Sequence, residues 1–97
     1  MRRDFETPPY SQQIAVGDQA QLRCHPPRAK PAARVTRWLK NGRPIKPSDT
    51  NFIQSADGHL LILQARMEDN ANYSCVAAND ANLEKTSDPA TLTVFGE

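Results

Sequence analysis

The sequence is short, and it has few apolar residues, few aromatic residues and little cysteine. Its 97 residues leave no room for a catalytic domain beside a cofactor domain, so we expect one domain over residues 1–97, ordered from about 5 to 95. Only 38% of the residues are hydrophobic, and a small domain with so little to bury benefits from a covalent cross-link. The two cysteines, Cys24 and Cys75, allow either a disulfide or two free thiols.

Several functional signatures are missing. No apolar run is long enough to span a bilayer, and we find no signal sequence or lipidation motif, so we expect this chain to be part of a longer protein. There is no nucleophile elbow and no glycine-rich phosphate loop, and His25 and His59 do not stand at a spacing typical of metal ligands. We therefore predict no enzymatic activity, no cofactor and no metal site.

Acidic residues are absent between Gln19 and Ser48, where the basic residues concentrate. A run of like charge attracts anionic partners, although most such runs are simply solvated faces. One hypothesis is a binding site for a sulfated polysaccharide or an acidic protein surface. Nucleic acid is not expected, because no aromatic platform accompanies the charges. The candidate residues are Arg28, Lys30, Arg34, Arg37, Lys40, Arg43 and Lys46.

Short alternations of apolar and polar residues, separated by Pro, Gly, Asn and Asp, predict an antiparallel all-β chain. Asn41-Gly42 is a strong hairpin signal, and Pro44 should end the following strand early. No segment has the period of an amphipathic helix. The predicted strands are 14–16, 20–24, 35–40, a short one after Gly42, 51–55, 59–64, 71–79, and 84–94 with a break near Pro89.

Cys24, Trp38 and Cys75 stand in the order and approximate spacing of the immunoglobulin sandwich. In that fold the two cysteines join the sheets beside the tryptophan, so the resemblance implies a Cys24–Cys75 disulfide. Tyr73 occupies the place of the tyrosine corner, whose hydroxyl bonds back to the backbone. The predicted fold is an immunoglobulin-like two-sheet antiparallel sandwich with Trp38, Tyr73, Leu22, Leu60 and Ile62 in its core.

Two further stretches resemble the intermediate (I-set) class of immunoglobulin domains: Trp38-Leu39-Lys40-Asn41-Gly42 and Asp69-Asn70-Ala71-Asn72-Tyr73-Ser74-Cys75. The elements Cys24-His25-Pro26-Pro27 and Gln64-Ala65-Arg66 resemble the second immunoglobulin domain of the uncoordinated-five family of netrin receptors. That resemblance implies the extracellular part of a single-pass plasma-membrane receptor for axon guidance and cell migration. The implied partners are a netrin-like protein, heparan sulfate and a neighbouring immunoglobulin domain.

Two other functions remain open. The chain could be a structural I-set spacer of a muscle or extracellular-matrix protein, in which case a cytosolic setting would leave the cysteines reduced. An immune receptor domain is disfavoured, because the region after Gly42 is short.

Alternation also predicts which side chains face solvent. Asn72-Tyr73-Ser74 fits the N-glycosylation acceptor, and inward-facing Tyr73 places Asn72 outside. The basic residues Arg37 and Lys40 are expected outside as well. Leu39, Leu61 and Leu63 have outward parity, either as partner contacts or as edge packing, and Phe5 and Phe95 are interpreted as contacts to a neighbouring domain.

The strand that carries Trp38 departs from the usual pattern. Thr36 stands two residues before the tryptophan, where an apolar residue is normal. Either Thr36 points inward or a bulge shifts the register, and we expect a bulge near Arg34 that returns Val35 to the core.

Overall fold

The structure is a computed structural model that describes residues 5, 8–26, 32–46, 48–81 and 84–96. In this part of the chain nine strands and one turn of 3-10 helix occur, which confirms the predicted all-β class. The strands are β1 (Gln12–Ala15), β2 (Ala20–Leu22), β3 (Arg34–Lys40), β4 (Arg43–Pro44), β5 (Phe52–Gln54), β6 (Leu60–Ile62), β7 (Ala71–Ala78), β8 (Glu84–Thr86) and β9 (Ala90–Phe95).

The strands form two sheets. The larger sheet has the order β1-β9-β7-β3-β4, with β8 also paired to β7, and the smaller one has the order β2-β6-β5. β1 runs parallel to β9, and the other pairs are antiparallel. β8 and β9 are separate because Pro89 interrupts the last strand, as the sequence predicts.

The core lies between the sheets and follows from the alternation along each strand. β2 and β6 supply Ala20, Leu22, Leu60 and Ile62 from the smaller sheet. Trp38, Tyr73, Cys75, Leu92 and Val94 face them from the larger sheet. All five residues predicted for the core are at most 3% exposed.

A bulge shifts the register of β3. Val35 pairs with Ala77 of β7, whereas Arg37 pairs with Val76, so Thr36 is the extra residue. Its hydroxyl donates to the Val76 carbonyl at 3.2 Å. Val35 is buried as expected, and the bulge, which was predicted near Arg34, lies at Thr36.

The hairpin after β3 leaves one side of the sandwich thinly covered. Asn41 and Gly42 both have positive φ, 54° and 80°, as a tight two-residue hairpin loop requires. β4 then lasts two residues and, within the described residues, pairs with β3 only through Leu39 and Lys40. The part of β3 that precedes Leu39 therefore faces an open side between β3 and β5.

Candidate functional site

The scaffold of the domain is the disulfide and the residues around it. Cys24 and Cys75 are bonded, with their Cα atoms 6.6 Å apart, and Trp38 pairs with Cys75 across the β3–β7 ladder. The Trp38 indole N–H donates to the Gly58 carbonyl at 2.8 Å, which links the larger sheet to the turn before β6. These residues fix which side chains face solvent.

The turn before β7 is held by a buried carboxylate. The Tyr73 hydroxyl donates to the Asp69 carbonyl at 2.7 Å, in the manner predicted for a tyrosine corner. The Asp69 carboxylate, which has no exposed surface, accepts bonds from the Arg66 backbone N–H at 2.9 Å and from its guanidinium at 2.9 and 3.1 Å. Asn51 donates a further bond at 3.3 Å.

These contacts set the ionisation of the corner. Burial alone would raise the pKa of Asp69, but the hydrogen bonds from Arg66 and the charges of Arg66 and Lys40 outweigh it and hold that pKa below 3.8. The bonds to Asp69 and Asp49 raise the pKa of Arg66 despite the opposing effect of burial. Burial raises the pKa of Tyr73, and the Asp69 charge adds to that rise. Asp69 and Arg66 are therefore both charged at neutral pH, and their ion pair stabilises the turn before β7.

The predicted basic residues that the structure describes differ in their surroundings. Arg34 begins β3, where its guanidinium lies 3.6 Å from Asp80, and Arg37 lies 3.2 Å from Glu84 on β8. Two of the candidate cations are thus paired with acids that follow much later in the sequence. Arg28 and Lys30 lie outside the described residues.

Lys40 lies on the inner side of β3, two residues after Trp38, and does not face solvent beside Arg37. Its ammonium group donates to the Glu68 carbonyl at 2.9 Å and lies 3.7 Å from Asp69. It also sits 5.6 Å from the centre of the Phe52 ring, within cation–π range. The side chain is 27% exposed, so its charge interacts mainly with the Glu68 carbonyl and Asp69 in the turn before β7.

Arg43 and Lys46 are the remaining cations of the run. Both are exposed, and neither forms an ion pair with any residue that the structure describes. Arg43 pairs with Lys40 at the end of β3, and the chain then runs back along β3, where the Ile45 N–H donates to the Trp38 carbonyl at 3.3 Å and Lys46 follows. Among the described residues of the run, the cations without an ion pair therefore lie on the β3–β4 hairpin and the segment that follows it.

A groove opens beside these two cations, between the β3–β4 hairpin and β5. It consists of two adjoining cavities of about 250 and 200 Å³ that share Pro44, Ile45, Lys46 and Phe52 as walls. One cavity extends to Trp38 and Leu60 of the core. The complete lining is Arg37, Trp38, Lys40, Arg43, Pro44, Ile45, Lys46, Asp49, Phe52, Gln54 and Leu60. This groove is the site that the sequence alone did not indicate.

Asn72 is exposed on β7, on the outer side of the larger sheet. Its side-chain carbonyl accepts a bond from the Thr91 hydroxyl at 2.9 Å, and its backbone exchanges two bonds with Asn41 of the hairpin turn. The acceptor triplet therefore presents its asparagine to solvent.

The outward leucines differ in exposure. Leu63 is exposed, whereas Leu39 and Leu61 are half-buried, and Leu61 pairs with the exposed Ile53 on the outside of the smaller sheet. Phe95 is exposed, but Phe5 packs against this domain's own core.

The two histidines lie together without forming a metal centre. The rings of His25 and His59 meet edge to face at 5.3 Å. No group of three His, Cys, Asp or Glu side chains that could hold a metal ion occurs among the residues that the structure describes. Over the same residues, no helix is long and apolar enough to cross a membrane.

Comparison with known families decides the identity of the fold. Residues 3–94 match the Immunoglobulin I-set domain family. The chain belongs to this family. The structure has the characteristic features of this family: two sheets, the Cys24–Cys75 bridge beside Trp38, and the Tyr73 corner.

Curated relatives of this I-set domain include netrin receptors. Netrin receptor UNC5D of Rattus norvegicus and that of Mus musculus are each 40% identical to it over 96 residues, which is 98% of the chain. The predicted resemblance to netrin receptors is therefore confirmed. The chain spans 10% of the length of each of these relatives.

Solved structures with the same fold include domains of Dlar and of titin. The tandem Ig repeats of Dlar superpose with a TM-score of 0.83 at 27% identity, covering 96% of the I-set domain and 46% of that chain. The titin domains z1z2 in complex with telethonin superpose with a TM-score of 0.79 at 28% identity, covering 96% and 47% respectively. The fold is thus shared with both Dlar and titin.

Proposed function

We propose that this I-set domain is an extracellular ligand-binding module of a single-pass cell-surface receptor, and that the receptor recognises netrin in axon guidance and cell migration. The observation that carries the proposal is the 40% identity to netrin receptor UNC5D over 98% of the chain. A domain of this kind acts by binding rather than by catalysis, through side chains displayed on a rigid sandwich.

The alternative of a structural spacer in a muscle or matrix protein has less support. The likeness to titin is 28% identity, and sandwich domains share this architecture across unrelated functions. The disulfide also favours an oxidising, extracellular setting over the cytosol.

The test is direct binding to immobilised netrin, with this domain compared with a longer fragment that includes its neighbouring domain. We expect saturable binding by the longer fragment, with weaker binding by the single domain if it holds part of the interface. A titin I-set domain of the same fold is the matched control and should not bind. Absence of binding by both fragments would contradict the netrin proposal and leave the fold assignment intact.

Heparan sulfate is a proposed second ligand of the basic residues, and the ion pairs described above rank them. Because Arg34 and Arg37 are paired with acids and Lys40 is half-buried, we expect Arg43 and Lys46 to contribute more than these three to retention on heparin. Charge reversal of Arg43 and Lys46 should lower the elution salt more than reversal of Arg34 and Arg37. Equal elution of both double variants and the unaltered domain would refute a role for this run.

We also propose that Asn72 carries an N-linked glycan in the native setting. Its exposure on the outer side of β7 leaves room for a sugar chain. Intact mass of the domain secreted from animal cells should exceed the polypeptide mass and return to it after deglycosylation or in Asn72→Gln. A secreted protein of bare polypeptide mass would show that the triplet is unused.

A further inference from the structure

We propose that the groove between the β3–β4 hairpin and β5 is a docking site for an acidic segment of a partner protein, which inserts one aliphatic side chain between Ile45 and Phe52. This docking site does not require netrin as the ligand, because it follows from the shape and charge of the groove. Its elements are an apolar floor, a cationic rim and a size that fits side chains.

The floor is apolar and continuous with the core. Ile45 and Phe52 are half-buried, pack against the core and line both cavities. Below them, one cavity ends on the nearly buried Trp38 and Leu60. An aliphatic side chain placed here would remove exposed apolar surface on both partners, which is the main favourable contribution to most protein–protein contacts.

The rim is positively charged. Four cations line the groove, Arg37, Lys40, Arg43 and Lys46, against one carboxylate, Asp49. That carboxylate is already paired with Arg66 at 3.2 Å. Arg43 and Lys46, which form no ion pair within the described part of the chain, remain available to an incoming acid. An acidic partner would therefore complement the positive charge of this rim.

The dimensions favour side chains over a small-molecule ligand. The two cavities, of about 250 and 200 Å³, adjoin and are open to solvent, whereas a small-molecule site typically buries most of the surface of its ligand. Both lie open along the side that the two-residue strand β4 leaves uncovered. An extended segment can lie along such an opening and place alternate side chains inward and outward.

The apolar floor also distinguishes a peptide from a sulfated polysaccharide. A polysaccharide would engage Arg43 and Lys46 by charge alone and would gain nothing from Ile45 or Phe52. An acidic segment with one leucine uses both parts of the groove. The two ligands therefore predict different responses at the floor.

The experiment titrates the domain with the blocked peptide Glu-Asp-Leu-Asp-Glu and follows amide and methyl chemical shifts by NMR. Two further ligands are titrated in the same way: the same peptide with serine in place of leucine, and a heparin-derived tetrasaccharide. We expect saturable shifts at Ile45, Phe52 and Leu60 with the leucine peptide. The serine peptide should bind about ten-fold more weakly, since burial of one leucine is worth that factor or more.

Variants locate the site. Arg43→Glu with Lys46→Glu should weaken the leucine peptide about ten-fold, because two attractive charges become repulsive. The control, Arg23→Glu with Arg34→Glu, makes the same change in net charge away from the groove and should leave affinity within about two-fold. Ile45→Thr, with its melting temperature checked, should remove the difference between leucine and serine peptides.

Other results would overturn the proposal. Equal affinity for the two peptides would reduce the groove to a charged surface. Tetrasaccharide shifts at Ile45 and Phe52 as large as those of the leucine peptide would assign it to polysaccharide. Absence of shifts at the floor with the leucine peptide would exclude docking there. None of these results bears on netrin binding, and a failure to bind netrin would leave this test unchanged.

Discussion

Asp69 shows how one buried charge organises a turn. Its carboxylate receives three bonds from Arg66 and one from Asn51, and its own backbone carbonyl receives the Tyr73 hydroxyl. That Asp69 bonds locally could be expected from its place just before β7. Its bond from Asn51, and the bond of Arg66 to Asp49, were not anticipated, because Asn51 and Asp49 approach only when β5 packs beside the turn. Sequence spacing carries no signal of that approach.

Replacement of this carboxylate should be costly. Asp69→Asn leaves Arg66 without its main partner, and we expect a loss of about 2–3 kcal/mol in the free energy of unfolding, as for hydrogen bonds to charged groups. Asp49→Asn is the matched control, because that carboxylate makes one partly exposed contact to Arg66, and it should cost less than about 1 kcal/mol. Urea denaturation at neutral pH measures both, and equal losses would contradict the central role of Asp69.

The same carboxylate makes stability depend on pH. Because the pKa of Asp69 is lower in the folded chain than its usual 3.8, its contribution is complete above that value and is lost as pH falls through the folded-state pKa. Urea denaturation below pH 4 should therefore show a smaller difference between the unaltered domain and Asp69→Asn than at neutral pH. A constant difference across this range would show that the charge of Asp69 is not what stabilises the turn.

At the scale of strands, alternation predicted most of the faces and a bulge in β3, but not the position of that bulge at Thr36. Trp38 inside and Leu39 outside follow from a period of two, and the same period places Lys40 inside, so its burial could have been read from the sequence. The position of the bulge at Thr36 could not, since it depends on the bond from that hydroxyl to Val76 of β7. The groove likewise requires the packing of β5 beside a hairpin distant in sequence.

Gly42 lies in the turn after β3 and Gly58 in the turn before β6, and replacing each with alanine should lower the stability by a different amount. Gly42 has φ of 80° with open space around its missing side chain, so Gly42→Ala should cost only the backbone penalty of about 1–2 kcal/mol. Gly58 has φ of 87°, and a Cβ there would lie 2.7 Å from the Cβ of Val35. Gly58→Ala should therefore cost about 1–3 kcal/mol more, from overpacking against β3.

Thermal unfolding of both variants, with Gly17→Ala as a second open-space control, measures this order. Equal melting temperatures for Gly42→Ala and Gly58→Ala would show that the buried Val35 side chain moves aside without cost.

At the scale of the whole molecule, the basic run shows that residues close together in sequence can have different surroundings in the fold. Seven basic residues lie between Arg28 and Lys46, yet the fold pairs Arg34 and Arg37 with acids from the β7–β8 region and turns Lys40 toward Asp69. The disulfide, the core and the netrin-receptor resemblance could be predicted, because each depends on residues within recognisable motifs. The distribution of free charge could not, because it depends on acids that follow in other strands.

One end of the molecule displays apolar residues where the chain leaves β9. Val16, Met67 and Phe95 are 46%, 59% and 53% exposed. The Val16 N–H bonds the Phe95 carbonyl at 2.7 Å, and Asn70 bonds both Met67 and Val94, which brings the three side chains to the same end. We propose that a neighbouring domain packs on this end in a longer protein like the curated relatives, of whose length this chain spans 10%.

Phe95→Ser tests this in two fragments. In the single domain the exposed ring contributes little, and the change should stay within about 0.5 kcal/mol. In a fragment extended through the next domain, the same substitution should destabilise by about 1–2 kcal/mol, because it removes apolar surface buried between domains. Ile53→Ser, of similar exposure but on the outer face of the smaller sheet, is the control and should behave alike in both fragments. Equal effects of Phe95→Ser in the two fragments would mean that the neighbour does not rest on this end, because a ring covered by a second domain cannot be replaced at the cost of an exposed one.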